Sequence, residues 1–210
     1  MMDEPVARIP PLLPPDWDAA AYDVLTMLPH GRDNVLKGWG AGNPVLGTNL
    51  LCTQLRHAPL AKAFLAFNAH FFYASKLPPR IREILILRIA WLRHAEYEYL
   101  AHVALGKRAG LTDAEIALMQ RGPNADGLPA GDADLLRAVD ELKTEARIGH
   151  DTWTALSHVF DQEQMLEIIF IVGCYETLAM ALNSCAVQLD TDAGLDPATR
   201  ARLNAAQVDV

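Results

Sequence analysis

An all-α fold follows from three observations. Apolar residues recur with helical period along most of the chain, strand signals are nearly absent, and prolines and glycines fall where helices would start and stop. With 210 residues, 51% hydrophobic and 21% charged, the chain can bury a sizeable core as one domain or two small ones.

The elements follow in order. Pro10, Pro11, Pro14 and Pro15 predict an extended lead-in. Asp16 or Asp18 then caps a short helix running to about Leu28. His30 to Asn43, with Gly31, Gly38, Gly40 and Gly42, reads as a loop, and Pro44 opens a helix to about Leu55. An Ala- and Phe-rich helix spans about Pro59 to Tyr73, and Pro78 and Pro79 mark the next start because proline suits a first helical turn. No proline interrupts Arg80 to Ala109. Gly110 reads as a C-terminal cap, and Thr112 with Glu115 as a capping box for the following helix. After a Gly/Pro/Asn/Asp loop from Gly122 to Gly131, helices are predicted over about 132–147, 150–158, 162–187 and 196–206. This divides the chain into an arm, short helix and Gly-rich loop (1–43), a helical domain (44–190) and a C-terminal helix and tail (191–210).

Composition removes several function classes. The net charge is −8 with no long basic run, so no nucleic-acid partner is expected. The N-terminus lacks a basic region followed by an apolar core, so no signal peptide is read. No stretch gives ~18 uninterrupted apolar residues, the best two being broken by Arg88 and by Glu167 and Glu176. No membrane association is expected, and a cytoplasmic location is. Cys52, Cys174 and Cys185 form no C-x-x-C. If the last two share a helix they stand ~16 Å apart along it, beyond the ~7 Å a disulfide tolerates, so buried inert thiols are expected.

Two segments could carry chemistry. IREILILRIAWL (81–92) is apolar almost all round, which marks a helix buried on most faces, yet it holds Arg82, Glu83 and Arg88. A buried carboxylate costs several kcal/mol unless paired or protonated, so Glu83 needs a partner, a raised pKa or an exit to solvent. Its plainest reading is a salt bridge with Arg82 or Arg88. In HAEYEYLAHVALGKRAGLTDAEI (94–116), Glu98 and His102 share one helical face four residues apart. Such a pair can pass a proton or supply two metal ligands, and it is also a common surface pair beside a helix start. The histidines form no metal-like cluster in sequence, and neither H-E-x-x-H, G-x-S-x-G nor a phosphate-cradling Gly motif occurs.

The order E83-(x)11-A95-E-Y97-E98-Y-L-A-H102, followed by GKRAGLTDAEI, resembles the carboxymuconolactone decarboxylase/AhpD-like alkylhydroperoxidase superfamily. There the pattern is a Glu, then C-x-Y-C-x-x-x-H, then a turn of the type AGL(T/S)xxE. Glu83 falls on the family's proton-relay Glu, His102 on its His and Tyr97 on the Tyr between the cysteines. Ala95 and Glu98 stand where the two cysteines would be. The approach from about Asn49 through LPPRIREILILRIAWL and the segment 162–190 resemble the rest of that core. The resemblance implies an AhpD-like helical bundle assembled into homo-oligomers, trimers or hexamers. It also implies a break near Arg93–His94, because in one straight helix Glu83 and Glu98 would lie about 22 Å apart.

Without the cysteine pair, the family's thiol peroxidase cycle is not expected at this site. What remains is Glu83, Tyr97, Glu98 and His102. Mutual repulsion of the two carboxylates would raise one pKa, with His102 relaying the proton and Tyr97 donating a hydrogen bond. Three functional readings follow. The leading one is a cofactor-free acid–base enzyme, a decarboxylase, isomerase or lactone-acting enzyme on a small carboxylated or cyclic substrate. The second is a metal-dependent enzyme using Glu83, Glu98 and His102, and the third a non-catalytic oligomeric scaffold; the resemblance by itself also implies, as an alternative, an alkylhydroperoxidase/peroxiredoxin-type antioxidant activity.

Overall fold

The computed structural model describes residues 6–13, 16–28 and 47–190. The predicted loop from His30 to Asn43, the start at Pro44 and the helix over 196–206 lie outside the described residues.

The described residues contain helices and no strands. Helix α1 (Ala19–Leu25) is capped by Asp18, whose side chain accepts from Ala21 N at 2.9 Å. Helix α2 (Thr48–Gln54) runs through a 3-10 turn, Leu55–His57, into α3 (Ala58–Tyr73). Helix α4 (Pro79–Leu92) has Pro79 in its first turn, where a missing N–H costs nothing. Then come α5 (Glu96–Arg108), α6 (Asp113–Arg121), α7 (Ala130–Glu145), α8 (His150–Ser157) and α9 (Gln162–Cys185). The Thr112/Glu115 capping box predicted for α6 is present, and Asp161 with Gln164 forms a second one on α9.

Helix α4 is the hub: Ile84 to Ala90 are all buried, and α5, α6, α7 and α9 pack around it. Its basic residues lie inside that packing only because each is paired. Arg80 makes a bidentate bond to Asp132 of α7 (2.9 and 2.7 Å) and reaches Glu115 of α6 at 2.7 Å. Arg88 clasps Asp140 of α7 with two bonds (2.7 and 2.8 Å) and donates to the free carbonyls of Met119 and Gln120 at the end of α6. Together these ties fix α6 and α7 against α4.

A second, smaller core forms where α1 and α2 meet α3, from Trp17, Val24, Leu25, Leu51, Cys52, Leu55 and Leu65. The long α9 closes the main core with Ile168, Ile171, Val172, Tyr175 and Ala179. Despite Glu167 and Glu176, α9 is long and apolar enough by composition to cross a membrane, but 56% of its most apolar window is buried within the bundle, as in a core helix.

Candidate functional site

The site depends on one turn. Helix α4 ends at Leu92, and His94 takes a left-handed conformation with φ +52°. Ala95 N then bonds back to Ala90 O (2.9 Å) and His94 N to Trp91 O (3.1 Å), a Schellman closure normally entrusted to glycine. Helix α5 starts at Glu96 and runs back along α4. The break implied near Arg93–His94 is therefore present.

The close approach of α5 to α4 is made at Gly106, one turn after His102. A Cβ there would stand 3.0 Å from Leu111 Cδ1, 3.3 Å from Leu87 Cδ1 and 3.7 Å from the Cβ of Glu83. Sequence reading passed over Gly106, whose spacing marks no turn.

That approach joins residues nineteen apart in sequence: His102 Nδ1 lies 2.7 Å from Glu83 Oε2, with both side chains buried. The other oxygen of Glu83 accepts from Arg82 Nε at 2.9 Å. Arg82 is itself held, donating to Phe71 O at 3.0 Å and stacking over the Phe72 ring. Of the two partners expected for Glu83, Arg82 is the one used, and Arg88 is committed elsewhere. Burial alone would push the Glu83 carboxyl up, but His102 and Arg82 outweigh it and hold it below the usual carboxylate value. The ring of His102 meets the edge of Tyr175 at 4.9 Å between centroids.

Glu98 lies on the same helix, one turn before His102. It is 2% exposed, and neither carboxylate oxygen has a hydrogen-bond partner. Burial raises its pKa well above the usual value near 4.5 and so favours the protonated, neutral form. This corrects the expected cause: desolvation, rather than repulsion by Glu83, accounts for the shift. It also removes the surface-pair reading of Glu98 and His102. Glu98 lies beside Cys174 and Tyr175, and Asn68 donates to Cys174 Sγ at 3.6 Å.

Tyr97 points elsewhere. Its hydroxyl donates to Asp190 Oδ2 at 2.7 Å and accepts from Leu50 N at 3.2 Å. Asp190 also accepts from the first amides of α2, Thr48 N (3.1 Å) and Asn49 N (2.6 Å). Tyr97 thus pins the chain after α9 to the start of α2. No sequence signal marked Asp190, because its partners lie 93 to 142 residues away.

Among the described residues no three His, Cys, Asp or Glu side chains converge in a metal-holding arrangement. Both oxygens of Glu83 are already taken, so the Glu83, Glu98 and His102 ligand set is not supported. The cysteines are unpaired. Burial pushes the Cys174 thiol up to about 11 and Cys52 up to about 12, which leaves little thiolate at neutral pH. A cavity of about 400 Å³ lies between α2, α3 and α9, and none of Glu83, Tyr97, Glu98 or His102 lines it.

The carboxymuconolactone decarboxylase family model matches residues 58–141, which hold all four candidate residues. None of the curated proteins matches the chain. Two solved structures share its fold. One is a protein of unknown function from Agrobacterium tumefaciens, named as a candidate antioxidant defence protein AhpD. It has a TM-score of 0.61 and 20% identity, over 66% of this chain and 96% of that one. The other is an uncharacterised peroxidase-related protein with an alkylhydroperoxidase AhpD core, from Ralstonia eutropha JMP134. It has a TM-score of 0.62 and 18% identity, over 80% of this chain and 89% of that one.

Proposed function

We propose that the chain is a member of the carboxymuconolactone decarboxylase/AhpD-like superfamily, whose family model matches residues 58–141, and a cofactor-free acid–base enzyme of this group rather than a thiol peroxidase. The observation that carries the reading is the buried Arg82–Glu83–His102 relay beside a neutral Glu98.

An ionised Glu83 makes His102 Nδ1 the protonated nitrogen and orients the ring, leaving Nε2 as the working base. The substrate class is a small carboxylated or cyclic carbonyl compound, such as a lactone acid or β-keto acid. For isomerisation, Nε2 takes a proton from the carbon beside the carbonyl. The C–H electron pair moves onto the carbonyl oxygen, where the Glu98 hydroxyl donates a hydrogen bond, and the proton returns at another carbon. For decarboxylation, His102 Nε2 first takes the proton of the substrate's carboxyl group; the bond to that carboxylate then breaks, carbon dioxide leaves, the bond's electron pair stays behind in the enolate, and the imidazolium returns its Nε2 proton to carbon. Keeping Glu83 ionised on α4 while burial favours a neutral Glu98 on α5, one turn before His102, is the division of roles such chemistry needs.

Self-association belongs to the same reading. Phe67 of α3 and Leu166, Phe170 and Met180 of α9 form an exposed apolar face, with Phe67 and Phe170 in edge contact at 6.1 Å. Assembly on this face would complete a homo-oligomer. Unpaired cysteines suit a reducing location such as the cytoplasm.

The test is a panel of lactone acids and β-keto acids in D2O, followed by NMR for turnover and for exchange at carbon. The wild type should turn over at least one compound, with His102→Ala and Glu98→Gln lowering kcat about 10²- to 10⁴-fold. A wild type inactive across the panel, or variants as active as the wild type, would favour the non-catalytic scaffold.

A further inference from the structure

We propose that the cavity between α2, α3 and the C-terminal half of α9 is a binding site for an amphipathic carboxylate, a fatty-acid-like chain of roughly ten carbons. It is separate from the acid–base relay and independent of that reading. At about 400 Å³ the space falls within the ~300–1,000 Å³ usual for ligand sites. A methylene fills about as much room as a water molecule (~30 Å³), so the cavity admits a chain of roughly ten with slack.

Its walls are aliphatic and aromatic: Leu50, Ala61, Phe64, Leu178, Leu182 and Val187. Among the described residues no aspartate or glutamate lines it. At its rim, in a chain of net charge −8, stand Arg56 and His57, and Arg8 precedes the lining residue Ile9 and reaches Ser184 O, next to the lining residue Cys185. Arg56 donates from Nε to Pro10 O (2.9 Å) and from Nη2 to Pro11 O (3.2 Å). Among the described residues neither arginine is paired with a carboxylate, so there the rim sets positive charge beside an apolar interior. An apolar tail with an anionic head complements both parts.

The N-terminal arm crosses one side of this cavity. Arg8 N and Ile9 N bond to Cys185 O, Leu12 N bonds to Cys52 O, and Ile9 contributes to the lining. Cys185 lines the cavity too and is partly exposed, whereas Cys52 and Cys174 are buried. The Cys185 thiol is therefore a built-in reporter of occupancy.

The experiment uses the full chain with decanoate and decanol as probes, read by calorimetry and by the rate of Cys185 alkylation with N-ethylmaleimide, followed by mass. Decanoate should bind one per chain, saturably, and slow Cys185 alkylation at least tenfold. Ala181→Trp places a large ring at an exposed lining position and should weaken decanoate at least tenfold with unchanged helical circular dichroism and Tm. Arg56→Gln should weaken decanoate at least fivefold and leave decanol nearly unchanged, which separates loss of charge from loosening of the arm.

The proposal is overturned if wild type shows no saturable decanoate binding, or if Ala181→Trp binds it equally well. Equal affinity for decanoate and decanol would also overturn it. So would Cys185 alkylation that is slow without ligand and accelerates on dilution, because a second copy of the chain would then cover the cavity.

Discussion

Glu98 titrates in the opposite sense from most carboxylates. It keeps its proton in the folded chain above the pH, near 4.5, at which the unfolded chain loses it. Folding therefore takes up a proton, and stability on this account falls as pH rises above that value until the folded carboxyl ionises. Glu98→Gln stays neutral, so its stability relative to wild type should grow with pH by up to about 1.4 kcal/mol per unit. Urea unfolding at pH 5 and pH 7 should show the variant gaining ground at the higher pH, and parallel behaviour of the two proteins would refute a buried neutral acid. Glu83 has the usual sign, and removing its charge leaves buried Arg82 without a counter-ion and His102 Nδ1 without its ionised acceptor. Glu83→Gln should cost ~3–5 kcal/mol by the same measurement. The spacing of Glu83, Glu98 and His102 was readable from sequence, including the need for a Glu83 partner. The direction of Tyr97 was not, since it depends on Asp190, which no local pattern links to it.

Among the elements, the α4–α5 hairpin decides whether there is a site at all. For an L-residue other than glycine the left-handed conformation costs roughly 1–2 kcal/mol, and at His94 the surrounding packing carries that cost. His94→Gly should therefore be near neutral in urea unfolding, whereas the β-branched His94→Val should lose about 1–2 kcal/mol and much of any activity. Equal stability of the two variants would show that the turn is not strained. A similar role falls to Glu167 of α9, which accepts from Ser75 Oγ and from the amides of Lys76 and Leu77 in the α3–α4 link. Burial opposes its ionisation, but these donors prevail and hold its pKa below the usual value. Its contribution is thus complete above the ordinary carboxylate range and is lost as pH falls through the lowered value. Glu167→Gln should show a smaller loss of Tm on acidification than wild type in thermal scans from pH 6 to 3. Helix starts were legible wherever a cap or proline announced them, at Asp18, Pro79 and Thr112. The α4–α5 break was visible only through the resemblance, because histidine is not a residue that local propensity assigns to such a turn.

On the scale of the molecule, the helical class was written in the periodicity, while the arrangement was set by contacts that periodicity does not contain. Arg88 reads as a charge interrupting an apolar helix, yet its clasp on Asp140 and the end of α6 is what joins three helices. The burial of α4 on every side also sets a clock. Its amides from Ile84 to Ala90 can exchange with solvent only when the packed helices around it separate, so their exchange should report global unfolding. The smaller core of α1 and α2 against α3 buries fewer side chains and can open by itself. In native-state hydrogen–deuterium exchange, amides of α1 and α2 should exchange at least tenfold faster than those of α4. A single uniform rate would mean that the two cores unfold together. Under the expected pattern the Glu83–His102 relay sits in the slowest-moving part of the chain, so the region around α2 can admit and release a guest on its own timescale without disturbing the proton path.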